Sequence, residues 1–303
     1  MNTPSDAGGR ARALRRAPWS GRAGYGFVAA YVVLLLAFGV VPTVYAIYFA
    51  FTDTDARFTG FSNFTAAAAD FRFTSAVGHV ALYLVIWLVA LVVLVVGLAL
   101  VLHRLTASAV SRSLRFLYYI PGALAGAASA MVWLFMLDPT VSPAGFLLRA
   151  AGLDTFGRVI EPGHLAVLLA LIAFWTGAGG WIVVMYGALN NISSDVIEAA
   201  RIDGAGPWQI ARHIQIPLLR KWIVYMVILA FAAGTQLFVE PQLLSQASNG
   251  VAGRDYSLNQ LSYDFAFQNN NVNTAAAISV ELLVVGLVVA GLFVARSGFF
   301  DAD

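Results

Sequence analysis

Apolar residues in this chain run on without interruption instead of alternating or recurring along one helical face. Uncharged stretches cover 23–52, 73–103, 116–137, 162–194, 222–239 and 265–295, the last broken by Glu281 alone. A helix needs about 20 apolar residues to cross the roughly 30 Å hydrocarbon layer. The pattern therefore predicts helical cores near 24–51, 76–102, 116–137, 165–189, 222–244 and 272–295. The segments are too long and too uniformly apolar for the alternating strands of a barrel, and in lipid a helix closes its own backbone hydrogen bonds. The expectation is an all-α integral membrane protein with six transmembrane helices. The first run follows a basic N-terminus, but its 30 uncharged residues far exceed the roughly 7–15 of a signal h-region. It is read as a span.

Composition sharpens this. Of 303 residues 60% are hydrophobic and 11% charged, under half of the charged share of about 25% usual in soluble chains. Loop charge sets the orientation. Lys and Arg number five in the N-terminal tail, three in the second loop, four in 190–221 and one after the last span; on the other side 52–75, 138–164 and 245–271 carry two, two and one. This 13-to-5 asymmetry predicts both termini and the 190–221 loop in the cytoplasm. The expected organisation is a basic cytoplasmic tail (1–23), a six-span domain (24–295, its core from about 73) and a cytoplasmic tail (296–303).

The tail residues Arg10, Arg12, Arg15, Arg16 and Arg22 are read as topology determinants touching anionic membrane lipid, not as a nucleic-acid arm. With no cysteine, and with His79, His103, His164 and His213 scattered, neither thiol chemistry nor a metal site is expected. No nucleophile–base pair appears at helical spacing, so no catalytic residue is assigned. The outer loops, with Asp53-Thr-Asp55 and Gln268-Asn-Asn-Asn271, have a wet, turn-forming composition suited to receiving an external partner.

Between the fourth and fifth cores the chain turns polar, from Ser193 to Pro217. The residue types predict two short helices. Asp195 or a preceding serine caps the first, with Glu198 placed to complete a capping box. Gly204 ends it in a left-handed cap, Pro207 opens the second and Pro217 stops it.

Glu198-Ala199-Ala200, three residues, Gly204, nine residues, then Ile214 and Pro217 resembles the cytoplasmic signature of permease subunits in ABC importers. Ile216 stands where the signature has leucine. Asp203-Gly204-Ala205 is similar to the carbohydrate subgroup that includes the maltose and glycerol-phosphate permeases. Weaker echoes are Phe61-Ser-Asn63-Phe64, Arg115 to Pro121, Trp133 with Leu137-Asp138-Pro139, and Phe231 to Leu244.

The resemblance implies a multi-pass permease of the bacterial cytoplasmic membrane whose loop residues Glu198, Ala199, Ala200, Asp203, Gly204, Ala205, Ile214 and Pro217 engage a separate ATPase. It implies no cofactor in this chain, ATP and Mg in two partner ATP-binding subunits, a second and different permease chain, and an extracytoplasmic solute-binding protein. The sequence agrees, since Lys221, its one lysine, lies in no Gly-Lys-Ser/Thr loop.

For the solute path, ionisable residues inside spans are costly and point to function, which singles out Glu281 and Glu240. The run Trp175-Thr-Gly-Ala-Gly-Gly-Trp181 either permits tight helix packing or offers thinned backbone and an indole face to a sugar. The resemblance favours the second and carries contacts onto Thr176, Gly177, Gly180, Thr235 and Gln236, beside Trp181. The alternative is a secondary transporter or channel that uses Glu281 and Glu240.

The topology is tested directly. Single cysteines, Asn63→Cys and Ala211→Cys, in this cysteine-free chain are expected to react with an impermeant reagent from opposite faces of the membrane. Labelling from one face overturns the orientation.

Overall fold

The computed structural model describes residues 21–105, 109–124 and 126–297. Arg10, Arg12, Arg15, Arg16 and the tail from 298 lie outside them. Among the described residues no strand forms; an antiparallel bridge between Thr52 and Phe58 stands alone. In chain order the helices are α1 (Val28–Ala50), α2 (Ser62–Ala69), α3 (Phe71–Arg104), α4 (Ala109–Tyr119), α5 (Gly126–Leu137), α6 (Gly145–Ala150), α7 (Phe156–Val159), α8 (Pro162–Asn190), α9 (Ser194–Ile202), α10 (Pro207–Gly234), α11 (Val239–Ala247), α12 (Leu258–Phe267) and α13 (Val272–Ser297). The chain divides into two compact units, Met1–Ala46 and Ile47–Asp303. The first holds most of α1; the second holds its last turn and every later helix.

Helices α1, α3, α8, α10 and α13 are long and apolar enough to span a bilayer. The core forms around α8, which packs against α3, α4 and α10. Leu165, Leu169, Ile172, Ile182, Met185 and Leu189 are fully buried there with Leu91 and Leu102 of α3 and Leu219 and Met226 of α10. Val85, Val89 and Val93 of α3 and Val284, Leu287 and Val288 of α13 stay exposed. In lipid such side chains lose nothing by exposure, so the fold rests on van der Waals packing and paired backbone.

Three expected helix limits are corrected, each at a proline. The third core, 116–137, is not one rod. A tight turn at Pro121–Ala123 ends in extended backbone at Leu124, and the helical segments on either side make an angle of 107°. The fifth core, 222–244, stops at Gly234, and α11 starts afresh at Val239. Pro241 has no N–H for the Leu237 carbonyl, so it fits the first turn of a new helix and not the interior of an old one. Pro217, expected to stop the second loop helix, does not. A π-helical turn over Ala211–Gln215, closed by the Ile216 amide on the Ala211 carbonyl, widens the helix just ahead of it. The missing proline N–H is absorbed, and α10 continues from the loop into the membrane.

On the side predicted to face outward, side chains close the helix ends. Asn63 Nδ2 donates to the carbonyls of Ala50 and Thr52 at 3.0 and 2.9 Å, and Asn273 Nδ2 to those of Phe49 and Thr52 at 3.1 and 2.7 Å. The last carbonyls of α1 are thereby satisfied. Asp70 caps α3 by accepting from the Arg72 amide. The Arg72 guanidinium bonds Asp70 at 2.9 Å and Asp264 of α12 at 2.6 Å and lies 5.5 Å over the Phe265 ring.

Both residues chosen for labelling are poor reporters, because Ala211 is buried and Asn63 is engaged at the end of α1. Exposed Ser62 and Arg212 carry the same test.

The Arg72 cluster has a pH signature. Hydrogen bonding from Arg72 holds the Asp70 carboxyl below the usual carboxylate range. A depressed acid contributes stability above its unfolded value that is lost as pH falls through the folded value. Arg72→Leu should cost about 1.5–3 kcal/mol at neutral pH, the value of hydrogen bonds to charged groups. The penalty should shrink below about pH 4, read as thermal unfolding of the detergent-solubilised protein at both pH values.

Candidate functional site

The predicted loop helices form, with a changed cap. Ser193 caps α9 by accepting from the Asp195 amide at 3.2 Å. Glu198 completes no capping box; it is exposed and makes no hydrogen bond or ion pair among the described residues.

At the other end of α9 the Ala205 amide donates to the Ala200 carbonyl at 2.9 Å and the Gly204 amide to that of Arg201 at 3.0 Å. Gly204 takes φ +83°. This is a Schellman turn, and its left-handed residue explains the glycine. Pro207 opens α10, where Gln209 Oε1 accepts from the Gly206 amide at 2.7 Å. Gln209 is thus part of the cap, and Gln209→Ala should cost about 1 kcal/mol.

The turn brings Asp203, Gly204, Ala205 and Ile214 around one hollow of about 260 Å³. Glu198, Ala199 and Pro217 stay exposed and Ala200 half-buried. Beside them Ile202 and Trp208 are 87% and 68% exposed, apolar side chains at a polar loop that sequence patterning did not single out.

Within the membrane the glycines of the Trp175–Trp181 run divide between the two readings. A Cβ on Gly179 would lie 1.9 Å from the Tyr118 carbonyl oxygen, and one on Gly122 would lie 3.0 Å from that of Thr176. The bend between α4 and α5 is therefore seated on α8 through bare backbone. Gly177 and Gly180 face open space. The Thr176 hydroxyl is turned back onto its own helix, donating to the Ile172 and Ala173 carbonyls. Trp181 meets Tyr225 of α10 edge-on, with ring centroids 5.8 Å apart.

Thr235 and Glu281 line one apolar cavity of about 610 Å³, with Phe73, Val80, Leu84, Phe231 and Leu282 among its walls. The Glu281 Oε2 is buried there without a hydrogen-bond partner. Thr235 donates to the Ala232 carbonyl at 2.9 Å, and its own carbonyl receives Asn259 Nδ2 at 3.1 Å. Gln236, expected inside a helix, lies exposed in the break between α10 and α11, and Glu240 in the first turn of α11. Neither lines the cavity, nor do Thr176, Gly177, Gly180 and Trp181. The substrate set predicted from sequence is thus divided over more than one place. Sequence reasoning also missed Tyr256, which stacks on His79 at 4.5 Å; burial pushes its phenol up to about 12.

The family model for the inner membrane component of binding-protein-dependent transport systems matches residues 64–297, well over half of the chain. The chain belongs to that family. It is a membrane-embedded permease subunit, the ATPase of such importers being a separate subunit, and membership sets aside the secondary-transporter and channel readings.

The permease is 26% identical over 280 residues to the osmoprotective compounds uptake permease GgtC of Synechocystis sp., covering 88% of this chain and 96% of the relative. It is 28% identical over 275 residues to the sn-glycerol-3-phosphate transport permease UgpA of Rhizobium meliloti, covering 87% and 91%. Its fold matches a chain of a bacterial ABC transporter involved in the import of alginate, with TM-score 0.79 at 19% identity over 91% and 95% of the two chains.

The divided glycines give opposite expectations. Gly179→Ala forces a methyl against the Tyr118 carbonyl and should lower stability by about 1–3 kcal/mol. Gly180→Ala, with open space and better helix propensity, should leave stability unchanged or raise it by up to about 1 kcal/mol. Thermal unfolding midpoints of the two purified variants check both.

Proposed function

We propose that this permease translocates a sugar or sugar-like solute delivered by an external binding protein, in a bacterial cytoplasmic membrane with both termini and the α9–α10 loop on the inside. A second, different permease chain completes the pathway. Two ATP-binding subunits, holding ATP and Mg, dock on the loop. The single observation that carries the coupling role is the Schellman-turned pair of helices, with Glu198 unpaired and Ile202 and Trp208 exposed, built on a helix that runs unbroken to Gly234. An apolar tip flanked by a free carboxylate suits a cleft that offers an apolar floor and a basic rim.

On this reading, ATP-driven closure of the partner subunits draws two such loops together, and the permeases rock from an inward-open to an outward-open state. The substrate class is supported by relatives named for uptake of multiple sugars, diacetylchitobiose and sn-glycerol-3-phosphate. Along the path, Thr235 and Glu281 supply polar groups in the cavity, while Gln236 presents a free amide for hydroxyls. Gly177, Gly180 and Trp181 leave an apolar strip for a sugar face.

In proteoliposomes holding the assembled importer, uptake should require ATP and binding protein. Glu198→Lys reverses the charge at the docking tip, and Gly204→Val places a branched side chain at positive φ, costing roughly 1–2 kcal/mol or more in the turn. Both should abolish uptake and either release the ATPase on purification or leave its hydrolysis indifferent to binding protein and sugar. Ser194→Ala, an exposed change in the same helix, should transport normally. Wild-type uptake by both severe variants, with the ATPase retained, ends the coupling assignment.

A further inference from the structure

Where α3 ends, a second cavity of about 300 Å³ opens between that helix and the loop. His103 and Arg104 line it from the last turn of α3, Ile197 and Arg201 from α9, and Ile210 and Gln215 from α10. No carboxylate is among the lining residues. Arg104 Nη2 donates to the Pro207 carbonyl at 2.8 Å, which holds the guanidinium in place and leaves its other N–H groups for a ligand. The Arg201 side chain makes no hydrogen bond or ion pair among the described residues, although it lines a cavity with a second cation. Gln215 is 6% exposed, and its Nε2 reaches His103 Nδ1 only at 3.5 Å, so a buried amide donor is weakly engaged. Two guanidinium groups, an imidazole and an amide around an acid-free hollow are the complement of an anion with several oxygens.

The depth of the cavity identifies the anion's source. Arg104 closes a 34-residue helix and is the first charged residue after its uncharged stretch 73–103, so the hollow sits where the apolar part of the span gives way to the polar loop. Val101 in the last turn of α3 and Leu105 just after its end are exposed, apolar surface along which acyl chains can lie. We propose that this cavity binds the headgroup phosphate of an anionic phospholipid, which bridges Arg104 at the end of α3 and Arg201 on α9. The lipid is then a strut between a membrane span and the loop. Basic pockets at the cytoplasmic surface are the places where anionic headgroups gain most. The inference rests on the cavity's charge and depth, not on the coupling role of the loop, and lipid binding is read separately from ATPase attachment.

The test titrates the assembled, detergent-solubilised importer with phosphatidylglycerol, phosphatidylcholine or inorganic phosphate and counts bound molecules by native mass spectrometry. Arg201→Gln is the first variant, because Arg201 has no internal partner to lose; Arg104→Gln is the second and Arg201→Lys the charge-retaining control. At sub-saturating lipid, wild type and Arg201→Lys should carry the bound phosphatidylglycerol in a larger share of complexes than Arg201→Gln. Each Gln variant should bind about fivefold more weakly, the share of one basic residue at a membrane surface. Phosphatidylcholine should show no such difference. Equal phosphatidylglycerol binding by wild type and both Gln variants overturns the proposal. So does inorganic phosphate filling the site as well as the lipid does, which marks a free-anion site. Loss of ATPase from Arg201→Gln with unchanged lipid also overturns it, by assigning Arg201 to an acidic group on the partner.

Discussion

A backbone carbonyl or amide left unpaired in hydrocarbon costs several kcal/mol, and the departures of this chain from straight helix answer that constraint. The end of α1 would expose carbonyls where the chain turns toward α2. Two asparagine amides, from α2 and α13, take them up. Where α10 stops short of the expected limit, Asn259 donates to the Thr235 carbonyl. Where α9 turns back into α10, in the polar loop outside the hydrocarbon, the chain's own amides at Gly204 and Ala205 close the helix end. The motif Phe61-Ser-Asn63-Phe64, a weak echo in sequence, acquires a reason: Asn63 is the donor, and Phe61 and Phe64 pack on Phe51 with ring centroids 5.5 and 5.1 Å apart.

How much was legible depends on the range of each signal. Span number and the loop turn are local facts, carried by uncharged runs and by residue types that fix a backbone shape. They were readable at Ser193, Gly204 and Pro207. Helix limits at proline were not, because one residue type has opposite outcomes according to the turn ahead of it. Pro217 comes after a widened turn and the helix continues; Pro241 lacks one and a new helix begins; Pro121 opens a tight turn and the span bends. Nor could sequence sort Gly179 from Gly180. They are neighbours in the chain, and what separates them is the Tyr118 backbone, brought close by a bend some sixty residues earlier. The cavity shared by Thr235 and Glu281 was illegible for the same reason: its walls come from four helices, α3, α10, α12 and α13.

Among the described residues, Glu281 is the one acid with a buried oxygen that has no hydrogen-bond partner. Its outer oxygen is buried without a partner in an almost wholly apolar hollow, next to the point where α10 breaks. A polar group buried in that state costs free energy that the packing around it has to offset. The tight seat beside the cavity, where a Cβ on Gly234 would come within 2.5 Å of Leu84 and Trp87, fixes the broken end of α10 against α3 and so keeps Thr235 at the hollow's wall.

The unbroken run of α10 from Pro207 to Gly234 has a geometric consequence. Its 28 residues, at 1.5 Å each, make a rod of about 42 Å with one end in the polar loop and the other at the cavity. A rod without a joint conserves phase as well as length. Each residue added or removed along it would swing one end about 100° around the axis relative to the other, so the azimuth at which Trp208 meets its surroundings and the azimuth of Thr235 are a single quantity. An insertion in this helix would keep the two ends in phase only if it added near-whole turns or were absorbed by a second wide turn like that at Ala211–Gln215. The two ends turn as one part.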